Sequence, residues 1–341
     1  MTDHGGSLAR ADALFPGAPK PWVDLSTGIN PHSYPLFDLP ATAFSRLPEA
    51  SRTQALAALA AEIYGAPDAA HVTSAPGTQI LLPLVMELVP PGRAAVLSPT
   101  YAEHRRAAAL DGHAVEDFGE FDPLFDADLA VVVNPNNPDG RIVPRARLLD
   151  LARHMAEKGG LLVVDEAFME VGPHAESVAG DVGCADHGGG LVVLRSFGKF
   201  FGLAGVRLGF ALCAPPLAAG LAGRLGPWAV AGPALEYGMR ALADRDWHAE
   251  MRATLAQDAA RLDALLGAHG VQVAGGTSLF RFVRLASAPS LFDALGAQGI
   301  LVRRFAAMPD ALRVGLPGSE VEFQRLNDAL AGWRERAGVG A

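Results

Sequence analysis

Four short apolar runs, each closed by polar residues, constrain this chain more than any other feature. Ala94-Ala95-Val96-Leu97 stops at Ser98-Pro99, and Leu129 to Val133 stops at Asn134-Pro135. Leu161 to Val164 stops at Asp165-Glu166, and Leu191 to Leu194 stops at Arg195-Ser196. A strand that is apolar at every position is buried on both faces, which is the mark of a parallel sheet covered by helices. Helical spacing falls between several of these runs, most clearly over Arg145 to Lys158. Alternation of the two periods predicts an α/β fold with a largely parallel central sheet. Polar residues then collect just past the carboxyl ends of the strands, the edge where open α/β sheets bind ligands.

Around this centre the pattern is looser. Met1 to Pro21 reads as an arm broken by Gly and Pro, and Asp24 to Pro35 as an extended, turn-rich segment. Arg52 to Tyr64 has helical spacing and stops at Gly65; Ile80 to Val89 is an apolar helix opened by Gly77-Thr78-Gln79. Past Trp228 a long helical stretch, Leu235 to Leu266, leads to strand-like Leu279 to Leu285, Ile300 to Phe305 and Leu312 to Val314. A last helix runs from about Val321 to Arg336, with Ser319 as its N-cap. The expected organisation is an N-terminal arm (1–35), a large domain (36–228) and a smaller C-terminal α+β domain (229–341).

Composition narrows the partners. The formal charge is −9, and Lys and Arg occur singly or in pairs such as Arg105-Arg106 and Arg303-Arg304, so no nucleic-acid partner is expected. No unbroken apolar stretch of about 20 residues exists to span a membrane, and the polar start of the chain does not read as a signal peptide. Cys184 and Cys213 lack the clustering of a disulfide framework or a metal site. They read as buried free thiols of a cytoplasmic protein, with no metal.

The chemistry concentrates in Ser196-Phe197-Gly198-Lys199, followed by Gly202-Leu203-Ala204-Gly205-Val206-Arg207-Leu208-Gly209. A lysine directly after a buried strand, among small residues, is unusual, since lysines normally sit in water. Asp165 ends one strand and Asn137, in Asn134-Pro135-Asn136-Asn137-Pro138, follows another. A buried lysine amine can condense with a carbonyl and move protons. Gly77-Thr78-Gln79 at a helix start is an anion site in form, although alone it is as easily a cap.

These motifs, Asn134 to Pro138, Asp165-Glu166-Ala167-Phe168 and Ser196 to Gly209, in this order and each at a strand end, resemble those of the fold-type-I pyridoxal-phosphate (PLP) enzymes of the class I/II aminotransferase superfamily. The resemblance covers nearly the whole chain and implies PLP as cofactor. It implies Lys199 as the residue that carries it, Asp165 as partner of the pyridine nitrogen and Asn137 as donor to the phenolic oxygen. Ser196, Arg207 and Gly77-Thr78-Gln79 would hold its phosphate, and Tyr101 would stack on its ring. Tyr64 matches a position that reaches the phosphate held by a second subunit, which implies a homodimer; a core tyrosine is the alternative. Arg313, in Leu312-Arg313-Val314-Gly315, would bind the substrate α-carboxylate. The chain departs from many aminotransferases in carrying Phe168 in place of a tyrosine, so Asn137 would serve the phenolic oxygen alone.

The N-terminal segments are more selective. His4-Gly5-Gly6 with Asp24-Leu25-Ser26-Thr27-Gly28-Ile29-Asn30-Pro31 resembles the threonine-phosphate decarboxylases of cobalamin biosynthesis. Those enzymes convert L-threonine O-3-phosphate to (R)-1-amino-2-propanol O-2-phosphate and carbon dioxide. The alternative is the histidinol-phosphate aminotransferases, which share size and most cofactor residues. Both take a small phosphorylated substrate, so both need a second phosphate site. In the decarboxylase reading it draws on His4, Gly6 and Asn30, and on Arg303 or Arg304.

Overall fold

The computed structural model describes residues 5–184, 186 and 189–337. The chain divides into two compact units: Ser33–Asn137 with Arg141–His248, and Met1–His32 with Pro138–Gly140 and Ala249–Ala341.

The larger unit is built on seven strands: β2 (Val72–Ala75), β3 (Arg93–Leu97), β4 (Ala114–Phe118), β5 (Leu129–Val133), β6 (Leu161–Asp165), β7 (Leu191–Ser196) and β8 (Gly209–Cys213), with β1 (Val23–Leu25) lying in the other unit. Their order is β2-β8-β7-β6-β5-β3-β4. β7, β6, β5, β3 and β4 pair in parallel, and β8 runs antiparallel to both its neighbours. β5 and β6 are buried at every position, as continuous Val and Leu runs require. Each such side chain contributes about 1.5–3 kcal/mol on burial. The helix Arg145–Lys158 turns Leu148, Leu151, Ala152 and Met155 inward and ends at Gly159, whose φ of 73° is the left-handed turn that favours glycine.

The smaller unit holds a five-stranded sheet of β1, β9 (Val273–Thr277), β10 (Phe280–Arg284), β11 (Ile300–Phe305) and β12 (Met308–Gly315), in the order β1-β11-β12-β10-β9. Within the arm expected over the first 21 residues, Leu8–Leu14 forms a helix. Just beyond, β1 pairs in parallel with β11, Val23 opposite Ile300. Phe15 is held there by Phe292, with ring centroids 5.6 Å apart. The single long helix expected over Leu235 to Leu266 is two, Gly232–Ala243 and Arg245–Ala268. Asp244 interrupts them, because its carboxylate accepts from the Trp247 backbone N–H (3.1 Å) and the Tyr34 hydroxyl (3.0 Å). Cys213 is buried, as expected, and its thiol is pushed up to about 12 by desolvation, whereas Cys184 is exposed. Among the described residues, no helix is long and apolar enough to cross a membrane.

Candidate active site

Register brings the sequence motifs of the larger unit together. Val133, Asp165 and Leu194 lie side by side at the carboxyl ends of β5, β6 and β7. The last residue of each strand, Val133, Asp165 and Ser196, therefore opens onto one edge. A cavity of about 180 Å³ lies there, roughly ten times the ~15 Å³ one water needs, so it is of ligand size. Asp165, Asn137, Lys199 and Tyr101 line it; so do Ser196 and Arg207, and Gly77, Thr78 and Gln79 at a helix start. All nine cofactor residues expected in this unit, other than Tyr64, face the same space.

Lys199 is mounted on a rigid turn. It lies in the four-residue helix Phe197–Phe200, between residues sealed from water. Phe197 stacks on Phe201 at 4.4 Å and Phe201 on Trp247 at 5.6 Å. The amine lies 5.8 Å from the centre of the Phe168 ring, which also lines the cavity. Asp165 is fixed at both oxygens: one bonds His104 Nε2 at 2.8 Å, the other accepts the Ala167 N–H at 3.0 Å. The carboxylate's plane is thereby set before any ligand arrives. His104 is fully buried and was missed in the sequence. Its one signal is a polar residue three positions after Tyr101 on a helix start, and nothing there names its partner.

The other wall is a cationic cradle. The helix Thr78–Met86 begins at Gly77 with no side chain capping it, which leaves the first backbone N–H groups for an anion. Gly77 has a φ of 85°, and a Cβ there would meet Arg207 Nη2 at 2.6 Å. Arg207 itself takes a left-handed conformation, φ 55°, rare for a side chain of this size. Its Nη1 donates to the Ala204 carbonyl at 3.1 Å. Glycine at 77 is thus what lets a guanidinium lie against a helix start. A helix N-terminus, an arginine and a serine make a phosphate site. A lysine, a pinned carboxylate and an asparagine on strand ends suit a pyridinium ring bearing an aldehyde and a phenolic oxygen. The residues fit PLP.

Tyr64 does not line this cavity of its own chain. It is 6% exposed within its own unit, packed edge-on to Phe210 and 4.9 Å from the Arg195 guanidinium. Burial, and then Glu170 beside it, hold its hydroxyl well above the ordinary tyrosine range.

In the smaller unit, β11 and β12 place Arg303 directly opposite Arg313, while Arg304 faces Leu312. Neighbouring strand residues point to opposite faces, so Arg303 shares the face of Arg313. Arg304 lies over Phe292 instead, 4.6 Å from its ring centre. Arg313 is buried and donates to the Ser26 carbonyl at 2.8 Å. Burial, and then Arg303, push it down to about 10, against the pull of Asp24. Two like charges opposite one another in a ladder are unfavourable unless something negative joins them. Gly6 sits on the same strand end, its N–H on Ser26 Oγ at 2.7 Å. Asn30 is buried, its side-chain oxygen accepting the His32 N–H at 2.8 Å. His4 lies outside the described residues. Among the described residues, no cluster of three His, Cys, Asp or Glu could hold a metal.

Residues 43–330 match the family described as "Aminotransferase class I and II". This chain belongs to that family of PLP-dependent enzymes. Within it, the chain is 42% identical to the threonine-phosphate decarboxylase of Pseudomonas aeruginosa, over 99% of each chain. It is also 42% identical to that of Sinorhizobium sp., over 96% of this chain and 97% of the relative. The histidinol-phosphate aminotransferase of Cronobacter sakazakii is 30% identical over 92% of this chain and 91% of that one. Among solved structures, histidinol-phosphate aminotransferase from Sinorhizobium meliloti with pyridoxal-5′-phosphate superposes with a TM-score of 0.77 at 21% identity, over 87% and 85% of the two chains. L-threonine-O-3-phosphate decarboxylase from Porphyromonas gingivalis gives 0.75 at 20%, over 92% and 99%. At such identity these last two speak for the fold alone.

Proposed function

We infer that this chain is a PLP-dependent threonine-phosphate decarboxylase, releasing carbon dioxide from L-threonine O-3-phosphate to leave (R)-1-amino-2-propanol O-2-phosphate, a step of cobalamin biosynthesis. The observation that carries the reading is 42% identity to enzymes of that name along nearly the whole chain. The strand-edge cavity, whose lining fits the cofactor, supports it.

When bound, PLP supplies a protonated ring that takes up the electron pair left as carbon dioxide departs. Lys199 would hold the cofactor through its amine, and would deliver a proton at the substrate α-carbon. Asp165 keeps the ring nitrogen protonated, with His104 fixing its orientation. Asn137 donates to the phenolic oxygen, and Tyr101 covers the ring. Ser196, Arg207 and the N–H groups of Gly77, Thr78 and Gln79 take the cofactor phosphate. Arg313 takes the substrate carboxylate, and Arg303 takes its phosphate, with Gly6, Asn30 and His4. Two anion clamps on one substrate set which α-carbon bond stands perpendicular to the ring, and so which bond breaks.

The protein acts as a homodimer in this reading. Leu36, Phe44, Leu47 and Trp228, 77%, 70%, 65% and 58% exposed, are apolar side chains that a second subunit would cover. It works in the cytoplasm, where an exposed thiol such as Cys184 stays reduced.

The test offers the holoenzyme threonine phosphate alone, or histidinol phosphate with 2-oxoglutarate. Faster turnover is expected in the first mixture. Faster turnover in the second would make the chain a histidinol-phosphate aminotransferase.

A further inference from the structure

Gln79 and Tyr101 line the cavity, and Glu103 stands behind them. The Gln79 side-chain amide bridges the other two. Its nitrogen donates to Glu103 Oε2 at 3.1 Å, and its oxygen accepts the Tyr101 hydroxyl at 3.0 Å. The order of the two ends is dictated by chemistry: a carboxylate only accepts, so it draws the amide nitrogen and turns the amide oxygen toward the phenol. Glu103 is only 6% exposed, and the Arg106 guanidinium donates to the same Oε2 at 3.1 Å, which keeps a charged acceptor tolerable there. Tyr101 is also held along its ring, edge-on to His104 at 5.9 Å and 84°. His104 in turn bonds Asp165. One aromatic ring is therefore fixed at its tip and along its edge.

We propose that Glu103 is a positioning residue for the cofactor: by fixing the direction of the Gln79 amide it pins the Tyr101 hydroxyl, and so the plane that Tyr101 offers to the ring. This rests on reading the cavity as the PLP site. It gives Glu103 a role beyond that of an acidic residue in the first turn of the helix Glu103–Leu110. Glu103→Gln removes the constraint with little change of shape, because an amide at 103 both donates and accepts and lets Gln79 turn either way.

The experiment is a double-mutant cycle on the holoenzyme, reading the PLP dissociation constant and the visible circular dichroism of the bound cofactor. Glu103→Gln should weaken cofactor binding by roughly three- to tenfold, the size of one neutral hydrogen bond, and change the dichroic amplitude. Tyr101→Phe should do likewise. The double variant should be no weaker than Tyr101→Phe alone, since the hydroxyl through which Glu103 acts is gone. Gln79→Leu, at an exposed position, provides a second break in the same chain and should reproduce the loosening. Additive losses in the cycle, or an unchanged constant in Glu103→Gln or Gln79→Leu, would overturn the role of Glu103. Failure of the parent protein to take up PLP at all would overturn the reading of the cavity, and this proposal with it.

Discussion

Two arginines of this protein are buried almost equally, Arg195 at 4% and Arg313 at 7%, and their surroundings are opposite. Arg195, near the end of β7, lies 3.0 Å from Glu166 and 3.6 Å from Glu170, and also donates to Ser177 Oγ at 3.1 Å. Glu166 accepts further from Ser177 and from the Val178 N–H. Arg313, on β12, has another arginine across the ladder, and its surroundings push its pKa down. A buried cation among carboxylates belongs to the framework. A buried cation beside a like charge, as Arg313 is beside Arg303, is suited to meeting an anion from outside the chain. In this protein the first kind braces the strand ends that carry Asp165 and Lys199, and the second stands where a carboxylate is expected.

The comparison can be broken in three places. Arg195→Met should have the largest effect on stability. It strands Glu166 and Glu170 in the core, and breaking a buried pair in this way costs about 3–5 kcal/mol, a large part of the whole stability of an ordinary domain. Urea unfolding of the apoprotein reads it, and a loss under 1 kcal/mol would remove Arg195 from the framework.

Arg313→Met should show the reverse. Stability should stay level or rise, because a disfavoured charge is replaced by an apolar chain of similar length. The kcat/KM for threonine phosphate should drop about ten- to a hundredfold, the worth of a charge-assisted hydrogen bond. The pH dependence follows with a definite sign. With its pKa pushed down to about 10, below the ordinary arginine range, Arg313 gives up its proton in the folded chain at a lower pH than in the unfolded chain. The unfolded state then binds more protons, so this group's contribution to stability rises with pH between the two pKa values. Substrate binding needs the charge, so KM should climb as pH passes about 10. A flat KM across that range would detach Arg313 from the substrate.

Tyr64→Phe should have the smallest effect. The hydroxyl is buried beside Glu170, so its removal should change stability by less than about 1 kcal/mol and leave PLP affinity where it was. A tenfold weaker PLP complex would return Tyr64 to the cofactor.

Much of this was legible in the sequence, for reasons that differ by element. β3, β5, β6 and β7 stood out because burial on both faces leaves an unbroken apolar run. The residues that line the cavity were legible because such strands deliver their last residue to one edge. β4 was not, since Ala114–Phe118 is an edge strand left half in water. β9 was hidden by Gly275 and Gly276, and β8 was read only as the tail of the Lys199 motif. The pairing of Arg303 rather than Arg304 with Arg313 needed the register of β11 on β12, which no single strand displays. His104 needed its partner 61 residues away. Tyr64 kept two readings, because its place before Gly65 fits both a helix end in the core and a residue reaching outward; within its own chain Phe210 and Arg195 pack around it.

The most direct test of the central claim follows the carboxyl carbon. L-threonine O-3-phosphate labelled with carbon-13 at C1 is given to the holoenzyme in deuterated water, without a keto acid. The account predicts labelled carbon dioxide in step with an aminopropanol phosphate that keeps its original α-hydrogen and gains one deuteron at the same carbon, and no such release from Lys199→Ala. Label retained in the amino acid, with loss of the α-hydrogen to solvent, would mean that this site breaks the other bond and that the decarboxylase reading is wrong.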